Sequence, residues 1–525
     1  MKAQDYQISS EKFVFHTTEG KLHDNKLETK RLTYFQDAMK RFAKNKASIV
    51  AFVVIAVMLL FALIAPFVTP YEVSYADGYY RFMLPKNELF YELGIPFWDG
   101  GQNKEVNKAT YDLYMGIQME TGRDVIMTEP KEVKETYMGK TRTLYQFRLD
   151  TVNAVGVQYM EVSTAQYNAI QAYQDENNVQ IIYPITDPKL RPEAEQDQNN
   201  GNIWYLTELG AGRKTTIVYD EKGQFIPIYL AADGKDNYTS KMLFEGEEKI
   251  YNYAQKMDGD YWKIRVDYRE YYAYQHALAG DGITEPSFLL GTTDSGQDIF
   301  TCLASGARFS FTLAIIVASV NLFVGAIYGA IEGYYGGKID LIMERIVDLL
   351  ASIPFMIVIT LLKYHFNASH ALILFISFFL TGWTGMAART RMQFYRFKNQ
   401  EYVLVARTLG ARDRRIMFKH IFPNAIGTLI TGSVLVIPGV IFSETSLTYL
   451  GIIDLNTGSM TSVGTLLAKG QNYLFTYPHM ILFPAIFISL LMLSLTCSVT
   501  ACAMHLTPPS EALKTKRKEG NLFYG

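Results

Sequence analysis

The sequence predicts an all-α polytopic membrane protein with six transmembrane helices and an inserted α+β domain. Apolar residues make up 49% of the 525-residue chain and charged residues only 19%. The apolar residues are concentrated in long runs that are almost free of charge, a segregation that a soluble protein does not need. Ordinary polar sequence, residues 70–288, separates the first of these runs from the others.

Charge is distributed unevenly along the chain. Residues 1–47 carry 10 Lys and Arg against 6 Asp and Glu, and residues 289–525 carry 18 against 12. The block between them, 48–288, carries 22 against 34, a net charge of −12. Neither basic flank interleaves its charges with aromatic residues as a nucleic-acid-binding surface does, so we expect no nucleic-acid partner. The flanks are better explained as topology signals in a lipid bilayer.

The first apolar run, 48–68, is long enough to cross a bilayer, because about 20 residues at about 1.5 Å each span about 30 Å. The polar leader 1–47 is too long for the basic region of a cleaved signal peptide. Five further spans are predicted, over 310–331, 347–363, 369–388, 425–443 and 479–502.

Positive charge alternates between the loops that join these spans. Segment 389–419 contains nine Lys and Arg and the tail 509–525 contains four, whereas loop 450–478 contains only Lys469. Basic loops stay in the cytoplasm. The pattern therefore places both termini and loop 389–424 in the cytoplasm of a cell-membrane protein, with residues 70–288 outside.

Residues 70–288 contain no spanning run and predict a folded α+β domain. Strand-like alternation occurs at 141–150 and 179–186, and 214–231 predicts a hairpin around a turn at 220–223. Ser163 is placed to cap a short amphipathic helix that runs through Asp175.

The loop between the fourth and fifth spans contains the most informative segment. Residues 400–409 favour a helix, Gly410 suits a C-terminal cap or sharp turn, and 412–420 favour a second helix. The apolar residues expected to share one face are Val403, Leu409, Ile416 and Met417. Two short helices meeting at a glycine would form a knob that fits a groove on a partner. From the residues alone, a basic loop that only follows the charge rule explains the segment equally well.

Several motifs in a fixed order support a family resemblance. They are Glu401-Tyr-Val-x-x-Ala406-Arg407-x-x-Gly410-Ala411, His420-Ile-Phe-Pro423-Asn424, Leu290-Gly-Thr292 with Gly296-x-Asp298, Gly333-Tyr-Tyr-Gly-Gly337, Glu444-Thr-Ser-Leu-Thr-Tyr-Leu-Gly451 and Gly470-x-Asn472. Together they resemble ABC importer permeases, most closely the C-type membrane subunit of oligopeptide and dipeptide importers. The resemblance covers about 289–508 and the first span with its leader. It leaves out residues 70–288, which the usual member lacks.

The resemblance implies a type I importer permease fold with a five-helix core at 289–508. It implies a loop that contacts ATPase subunits through Glu401, Ala406, Arg407, Gly410, Ala411, Arg414, His420 and Pro423. Leu404 stands where the family has a glutamate, and whether Glu401 replaces it stays open. Thr293 and Gln297 stand where the family has aspartate and arginine.

The partners implied by the resemblance are a second homologous permease, two cytoplasmic ATPases and an extracytoplasmic peptide-binding protein. ATP and magnesium would be bound by the ATPases, and this chain would bind no cofactor and perform no covalent chemistry. Gly291 and Gly296 have the spacing of a phosphate-binding loop, but Gln297 and Asp298 stand where Lys and Ser or Thr are required. The eight histidines and three cysteines show no metal-site spacing.

Three polar residues in or near the spans are candidates for lining the path or for structural pairing: Asn321, Asp348 and Glu444. A charge at the bilayer centre costs about 2.5–3.5 kcal/mol on insertion scales, so such groups face protein or water. Asp348 can pair with Arg345 on its own helix. A structural role is favoured over substrate contact for Asp348 and for Glu444.

Two other classes of membrane protein are alternatives. A receptor with an extracellular ligand-binding domain would need a cytoplasmic signalling domain, and only about 20 residues follow His505. An ion-coupled secondary transporter normally shows an internal repeat and carboxylates at mid-span, and neither is evident in the sequence.

Overall fold

The computed structural model describes residues 45–93, 98–137, 140–191, 200–210, 214–232, 251–456 and 460–506. Most of the basic leader and all of the predicted tail 509–525 lie outside the described residues.

Helix α1, Lys46–Val68, covers the predicted first span. Asn45 caps it, because its side-chain oxygen accepts a hydrogen bond from the amide of Ala47 at 3.1 Å. Its 23 residues are about 35 Å long at about 1.5 Å per residue. Large apolar side chains on α1 are exposed in this chain, Phe67 by 85%, as expected of a helix that faces lipid.

The region after α1 combines helices and short strands. The helices are α2 (Glu88–Glu92), α3 (Lys108–Thr121), α4 (Thr164–Asn177) and α5 (Tyr268–Ala279). The strands are β1 (Gly101–Asn107), β2 (Lys131–Tyr137), β3 (Lys140–Asp150), β4 (Val157–Ser163), β5 (Ile182–Tyr183), β6 (Thr207–Gly210), β7 (Lys214–Ile217), β8 (Ala254–Lys256) and β9 (Tyr261–Asp267). The described residues of this region are therefore of mixed α and β structure.

The strands form three antiparallel sheets. Their orders are β1-β3-β2, β4-β9-β5 with β8 also paired to β9, and β6-β7. Ile170, Ile264 and Val266 are fully buried in a core cluster between the second sheet and its helices. A smaller cluster around Ile117 and Phe147 packs α3 against the first sheet.

Two local predictions for this region are confirmed. The strand predicted at 141–150 is β3, which begins one residue earlier. Ser163 caps α4 with both hydrogen bonds of a capping box: its Oγ accepts from the amide of Gln166 at 3.3 Å, and its own amide donates to Oε1 of Gln166 at 2.9 Å.

Two pairing predictions are wrong or incomplete. The turn at 220–223 is present: the amide of Asp220 donates to the carbonyl of Gln224 at 2.9 Å, and Tyr219 forms an antiparallel bridge with Phe225 across it. Strand β7 itself pairs with β6 upstream, so the hairpin is shorter than the predicted 214–231. Within 179–186, the strand is limited to Ile182–Tyr183, and Thr186 forms an isolated antiparallel bridge with Tyr229. Alternation indicates which face of a strand is buried but does not specify its partner.

A buried ion pair ties this region together. Arg265 in β9 is fully buried; its Nη2 donates to both carboxylate oxygens of Glu120 at 2.6 Å, and its Nε donates to the carbonyl of Gly201 at 2.7 Å. Burial raises the pKa of Glu120, and the positive charge of Arg265 opposes that rise. Removing one partner of such a pair typically costs about 3–5 kcal/mol, so α3 and β9 are strongly linked.

Segment 71–86 attaches the α+β region to the loop that precedes the C-terminal helices. The hydroxyl of Thr292 donates to the carbonyl of Tyr80 at 2.6 Å, and the amide of Phe82 donates to the carbonyl of Thr293 at 3.1 Å. In the same loop the amide of Gln297 donates to Oγ1 of Thr293 at 3.1 Å. A hydrogen bond thus joins Thr293 and Gln297, the two positions at which the resembled family has aspartate and arginine.

The C-terminal half is helical. Its helices are α6 (Ile299–Tyr335), α7 (Gly337–Ala351), α8 (Phe355–His365), α9 (His370–Phe397), α10 (Glu401–Thr408), α11 (Asp413–Arg415), α12 (Phe422–Val434), α13 (Val436–Tyr449), α14 (Val463–Gln471) and α15 (His479–Leu506).

Among the described residues, five helical segments are long and apolar enough to cross a membrane, and a bent pair brings the number to six if it counts as one span. The five are Lys46–Val68, Ile299–Tyr335, His370–Phe397, Asp413–Tyr449 and His479–Ser498. Each contains or overlaps a predicted span. The second and fourth of these segments are longer than the predicted spans 310–331 and 425–443, because their helices continue into polar sequence that hydropathy cannot assign to the membrane.

The predicted third span, 347–363, is not one helix. It corresponds to the end of α7 and most of α8, which are bent by 73° at the break before Phe355. Pro354 has no amide hydrogen and disfavours helical backbone at the preceding residue, which accounts for the interruption. None of the residues of α7, all of them described, is buried in this chain.

Close packing of α6 against α9 depends on three glycines spaced four residues apart. A Cβ atom on Gly325, Gly329 or Gly333 would lie under 3.0 Å from backbone atoms of α9, including the carbonyl oxygen of Ala387 opposite Gly329. Small residues at this spacing let the backbones of membrane helices approach closely. The backbones of α6 and α9 therefore pack in direct contact over two helical turns.

Candidate functional site

The loop between α9 and α12 forms a closed elbow, which we define as residues 401–415. At the end of α10 the amide of Ala411 donates to the carbonyl of Ala406, and the amide of Gly410 donates to the carbonyl of Arg407, both at 3.0 Å. Gly410 has a φ of +78°. This is a Schellman motif with glycine in the left-handed conformation, so the predicted C-terminal cap is confirmed.

The second arm of the elbow differs from the prediction. Residues 412–420 do not form a separate short helix: α11 continues through a π-helical turn, Ile416–Ile421, directly into α12. Pro423 stands near the start of α12, where its missing amide hydrogen removes one α-helical hydrogen bond. π-Helical turns of this kind recur at functional positions in helices.

The predicted apolar face is correct for three of its four residues. Val403, Ile416 and Met417 are buried in a cluster with Tyr334 and Phe394. Leu409 is 82% exposed, contrary to the prediction. It is the residue just before Gly410, where the chain leaves the helix, so its side chain is directed away from the face that packs.

The outer surface of the elbow is both apolar and basic. Its exposed apolar side chains are Tyr402, Leu404, Val405 and Leu409. Four arginines are exposed beside them: Arg407, Arg412, Arg414 and Arg415. A cluster of exposed apolar residues with a polar rim is typical of a protein interaction site.

The remaining predicted residues of this loop are placed as follows. Glu401 is exposed in the first turn of α10, and Ala406 is buried further along the same helix. Ala411 packs against the buried cluster. His420 is half-buried, and its carbonyl accepts a hydrogen bond from Nδ2 of Asn424 at 2.8 Å. Pro423 is exposed.

Both arms of the elbow contact Tyr334 at the end of α6. The hydroxyl of Tyr334 donates to Oδ1 of Asp413 at 2.6 Å. The guanidinium carbon of Arg407 lies 5.8 Å from the centre of the Tyr334 ring, within the range of a cation–π contact. The tyrosine side chain is almost fully buried. The elbow is therefore fixed to the second spanning segment as well as to its own helices.

A second charged cluster lies next to this contact. Arg391 on α9 pairs with Asp340 (Nε to Oδ1, 2.6 Å), with Glu332 (3.4 Å) and with Glu344. These three carboxylates each place an oxygen within 4.8 Å of the other two, close enough to hold a metal ion. The guanidinium of Arg391 contacts all three carboxylates, so the arrangement is best described as an ion-pair network joining α6, α7 and α9.

The three polar candidates in the spans lie apart from one another. Asn321 is buried on α6 beside Gly382, and its amide has no hydrogen-bond partner among the described residues. Asp348 is exposed and pairs with Arg345 at 2.8 Å, as expected. Glu444 is buried on α13, where Oε2 accepts from the hydroxyl of Ser310 at 2.6 Å.

Sequence reasoning missed Tyr334, Asp413 and Arg391 as parts of this site. Tyr334 was visible in the motif Gly333-Tyr-Tyr-Gly-Gly337, and Asp413 lay inside the elbow, but neither spacing nor composition indicates that two segments about 80 positions apart meet. Contact between these segments becomes evident only in the folded chain.

Two family models match the chain. The model described as the binding-protein-dependent transport system inner membrane component matches residues 321–508. The model described as the N-terminal TM domain of oligopeptide transport permease C matches residues 33–85. Residues 86–320 lie between the two matches, and they include most of the α+β region.

The chain is similar to named proteins of known systems. It is 38% identical over 221 residues to the oligopeptide transport system permease protein OppC of Bacillus subtilis, covering 42% of this chain and 72% of that protein. It is 35% identical over 224 residues to the dipeptide transport system permease protein DppC of the same organism, covering 41% and 69%. A chain of the MetNI methionine ABC transporter is 13% identical, with a TM-score of 0.30, and the match covers 39% of this chain and 95% of that one.

Proposed function

The chain belongs to the family of binding-protein-dependent transport system inner membrane components, and from that premise we propose that it forms half of the membrane path of an ATP-driven importer for oligopeptides or dipeptides. It is a multi-pass membrane protein and a transporter component. The substrate class is inferred from relatives named for oligopeptide and dipeptide transport. A second homologous permease would form the other half of the path.

Topology supports an orientation with the elbow in the cytoplasm. The segment 389–419 that contains the elbow carries nine Lys and Arg, as cytoplasmic loops do. The α+β region contacts the loop just before α6, and the elbow contacts Tyr334 at the other end of α6. A helix of 37 residues is about 55 Å long, enough to separate them by a bilayer. The α+β region is then extracytoplasmic.

The elbow is the feature that best supports coupling to ATPase subunits. Its Schellman turn presents Leu409, which is 82% exposed, at the tip of a compact projection. The exposed arginines around that tip suit an acidic rim on a partner. Two ATPases that close on ATP and magnesium would move this projection, and rigid-body rocking of the spans would alternate access.

Peptide delivery and hydrolysis are assigned to other subunits. We propose that an extracytoplasmic binding protein delivers the peptide and that the ATPases bind the nucleotide. In this arrangement the chain supplies a path through the bilayer and transmits movement. It contributes no catalytic residue.

The function is tested by uptake into vesicles that contain the purified, co-assembled subunits. Peptide uptake is expected to require ATP and the binding protein, and to persist after an uncoupler collapses the proton gradient. Co-purification with identification of the bound subunits is expected to yield a second permease and ATPases. Uptake driven by an ion gradient without ATP would instead favour a secondary transporter, and ATP turnover by this chain alone would also contradict the proposal.

For the α+β region we propose a docking role toward the binding protein. Phe82 stacks on Tyr477 at 4.6 Å and Trp98 on Phe483 at 5.9 Å, so the region rests on the start of the last spanning helix. That position is at the extracytoplasmic entrance in the proposed orientation. The net charge of −12 over residues 48–288 suits a basic face on the partner.

The structure suggests where this region can be cut out of the chain. The amide of Lys86 donates to the carbonyl of Phe288 at 3.0 Å, so the chain enters and leaves the region at adjacent points. Replacing residues 88–286 by a short Gly/Ser linker keeps segment 71–86 and its contacts with Thr292 and Thr293. We expect the variant to insert normally. Its affinity for the binding protein is expected to fall about tenfold, because the part of the interface formed by the α+β region is lost.

The control for this deletion is the ATPase activity of the assembled transporter without the binding protein, which should not change. Uptake and binding-protein affinity equal to those of the complete chain would rule out the docking role.

A further inference from the structure

We propose that Tyr334 is the positioning residue through which movement of the elbow reaches the second spanning segment, by a hydrogen bond to Asp413 and a ring contact with Arg407. The inference rests on the proposed function, because it concerns how an ATP-driven movement would be transmitted. It adds one residue, outside the loop, to which the elbow is attached.

The two contacts come from opposite sides of Gly410. Arg407 belongs to α10, before the turn, and Asp413 begins α11, after it. Both meet one side chain on α6: the Tyr334 hydroxyl donates to Asp413 at 2.6 Å, and the Arg407 guanidinium lies 5.8 Å from the ring centre. A rigid shift of the elbow therefore acts on Tyr334 through two arms, and the charged acceptor makes the hydrogen bond a strong one.

The surroundings of Tyr334 make the attachment stiff. Its ring is part of the buried cluster with Val403, Ile416 and Phe394, so the tyrosine has little space in which to change rotamer. The adjacent Gly333 packs against the backbone of α9, and Nζ of Lys398 donates to the carbonyl of Gly333 at 3.0 Å. A displacement of Tyr334 must therefore move the end of α6 together with α9.

The consequence is a route to the interior of the bundle that bypasses α12. The elbow continues covalently into α12 through the π-helical turn, and packed helices can absorb small shifts at such an irregular turn. The contact with Tyr334 instead leads to α6, which carries buried Asn321 and, nearer its start, Ser310 hydrogen-bonded to Glu444 on α13. Removing the contact between Tyr334 and the elbow should uncouple ATP hydrolysis from peptide transport without unfolding the chain.

The test is Tyr334→Phe in the complete importer, which removes only the hydroxyl and keeps the ring in its cluster. We expect ATP hydrolysis within about twofold of wild type and peptide uptake per ATP lowered about tenfold, the factor expected for losing one hydrogen bond to a charged group. Tyr335→Phe is the matched control. Tyr335 is adjacent and 48% exposed, and its hydroxyl bonds to no residue in the described parts of the chain.

A double-mutant cycle separates coupling from general damage. Asp413→Ala should lower uptake per ATP as Tyr334→Phe does, and the double variant should show no further loss, because both changes remove the same hydrogen bond. Additive losses, equal losses in Tyr335→Phe, or unchanged uptake per ATP in Tyr334→Phe would overturn the inference while the proposed function stands. A wild-type assembly without ATP-driven uptake would overturn the proposed function and the inference with it.

Discussion

Replacing Gly329 by alanine is expected to destabilise the helical bundle, and replacing it by leucine is expected to abolish accumulation of folded protein. A Cβ at this position would lie under 3.0 Å from the carbonyl oxygen of Ala387 on α9. Backbone atoms cannot move aside as a flexible side chain can, so α6 and α9 must separate. Overpacking of this kind typically costs about 1–3 kcal/mol for a single added methyl group and more for a larger side chain.

The matched control is Gly385→Ala on α9, where an added Cβ meets no atom within 4 Å in this chain. Both substitutions gain about 1 kcal/mol of helix propensity, so the difference between them reports packing alone. The effect is measured as the thermal midpoint of the detergent-solubilised protein. The midpoint is read from the fraction of protein that stays monodisperse after heating. If Gly329→Ala is as stable as Gly385→Ala, the close approach of α6 and α9 is not present in the membrane.

Gly410→Val is expected to impair peptide uptake severely, by tenfold or more in order of magnitude, while membrane insertion stays normal. Gly410 has a φ of +78° and nothing lies within 4 Å of a Cβ built on it. The effect is therefore conformational rather than steric. Left-handed backbone costs an ordinary residue about 1–2 kcal/mol, and a β-branched residue is a still worse fit.

Gly410→Asn distinguishes backbone conformation from other effects of the substitution. Asparagine tolerates the left-handed region, so peptide uptake by the Gly410→Asn variant is expected to stay within about threefold of wild type. Insertion is checked by the amount of full-length protein in the membrane fraction, and coupling by uptake per ATP. Wild-type uptake by Gly410→Val would contradict the view that the Schellman turn sets the shape of the elbow.

What could be predicted from the sequence depended on the range of the interactions involved. The spans followed from hydropathy, and the cap at Gly410 and the capping box at Ser163 followed from local backbone chemistry, because their determinants lie within a few residues. Partners distant in sequence did not follow. The pairing of β7 with β6, the contact of Tyr334 with Asp413 and the exposure of Leu409 depend on how segments assemble.

The bent third span marks the limit of hydropathy as a guide. Its apolar composition is that of an uninterrupted helix, so no window of residues 347–363 distinguishes a straight span from a broken one. Pro354 was a visible signal, but proline is tolerated in many membrane helices. The spacing of the three glycines in α6 was equally visible in the sequence. Predicting the close packing also required knowing which helix faces these glycines.

The break between α7 and α8 also determines what can surround this part of the helical bundle. Residues 351–354 are exposed in the single chain, and a helix interrupted there leaves peptide groups without intrahelical partners. Acyl chains cannot hydrogen-bond them, so within the bilayer they must meet water or a neighbouring subunit.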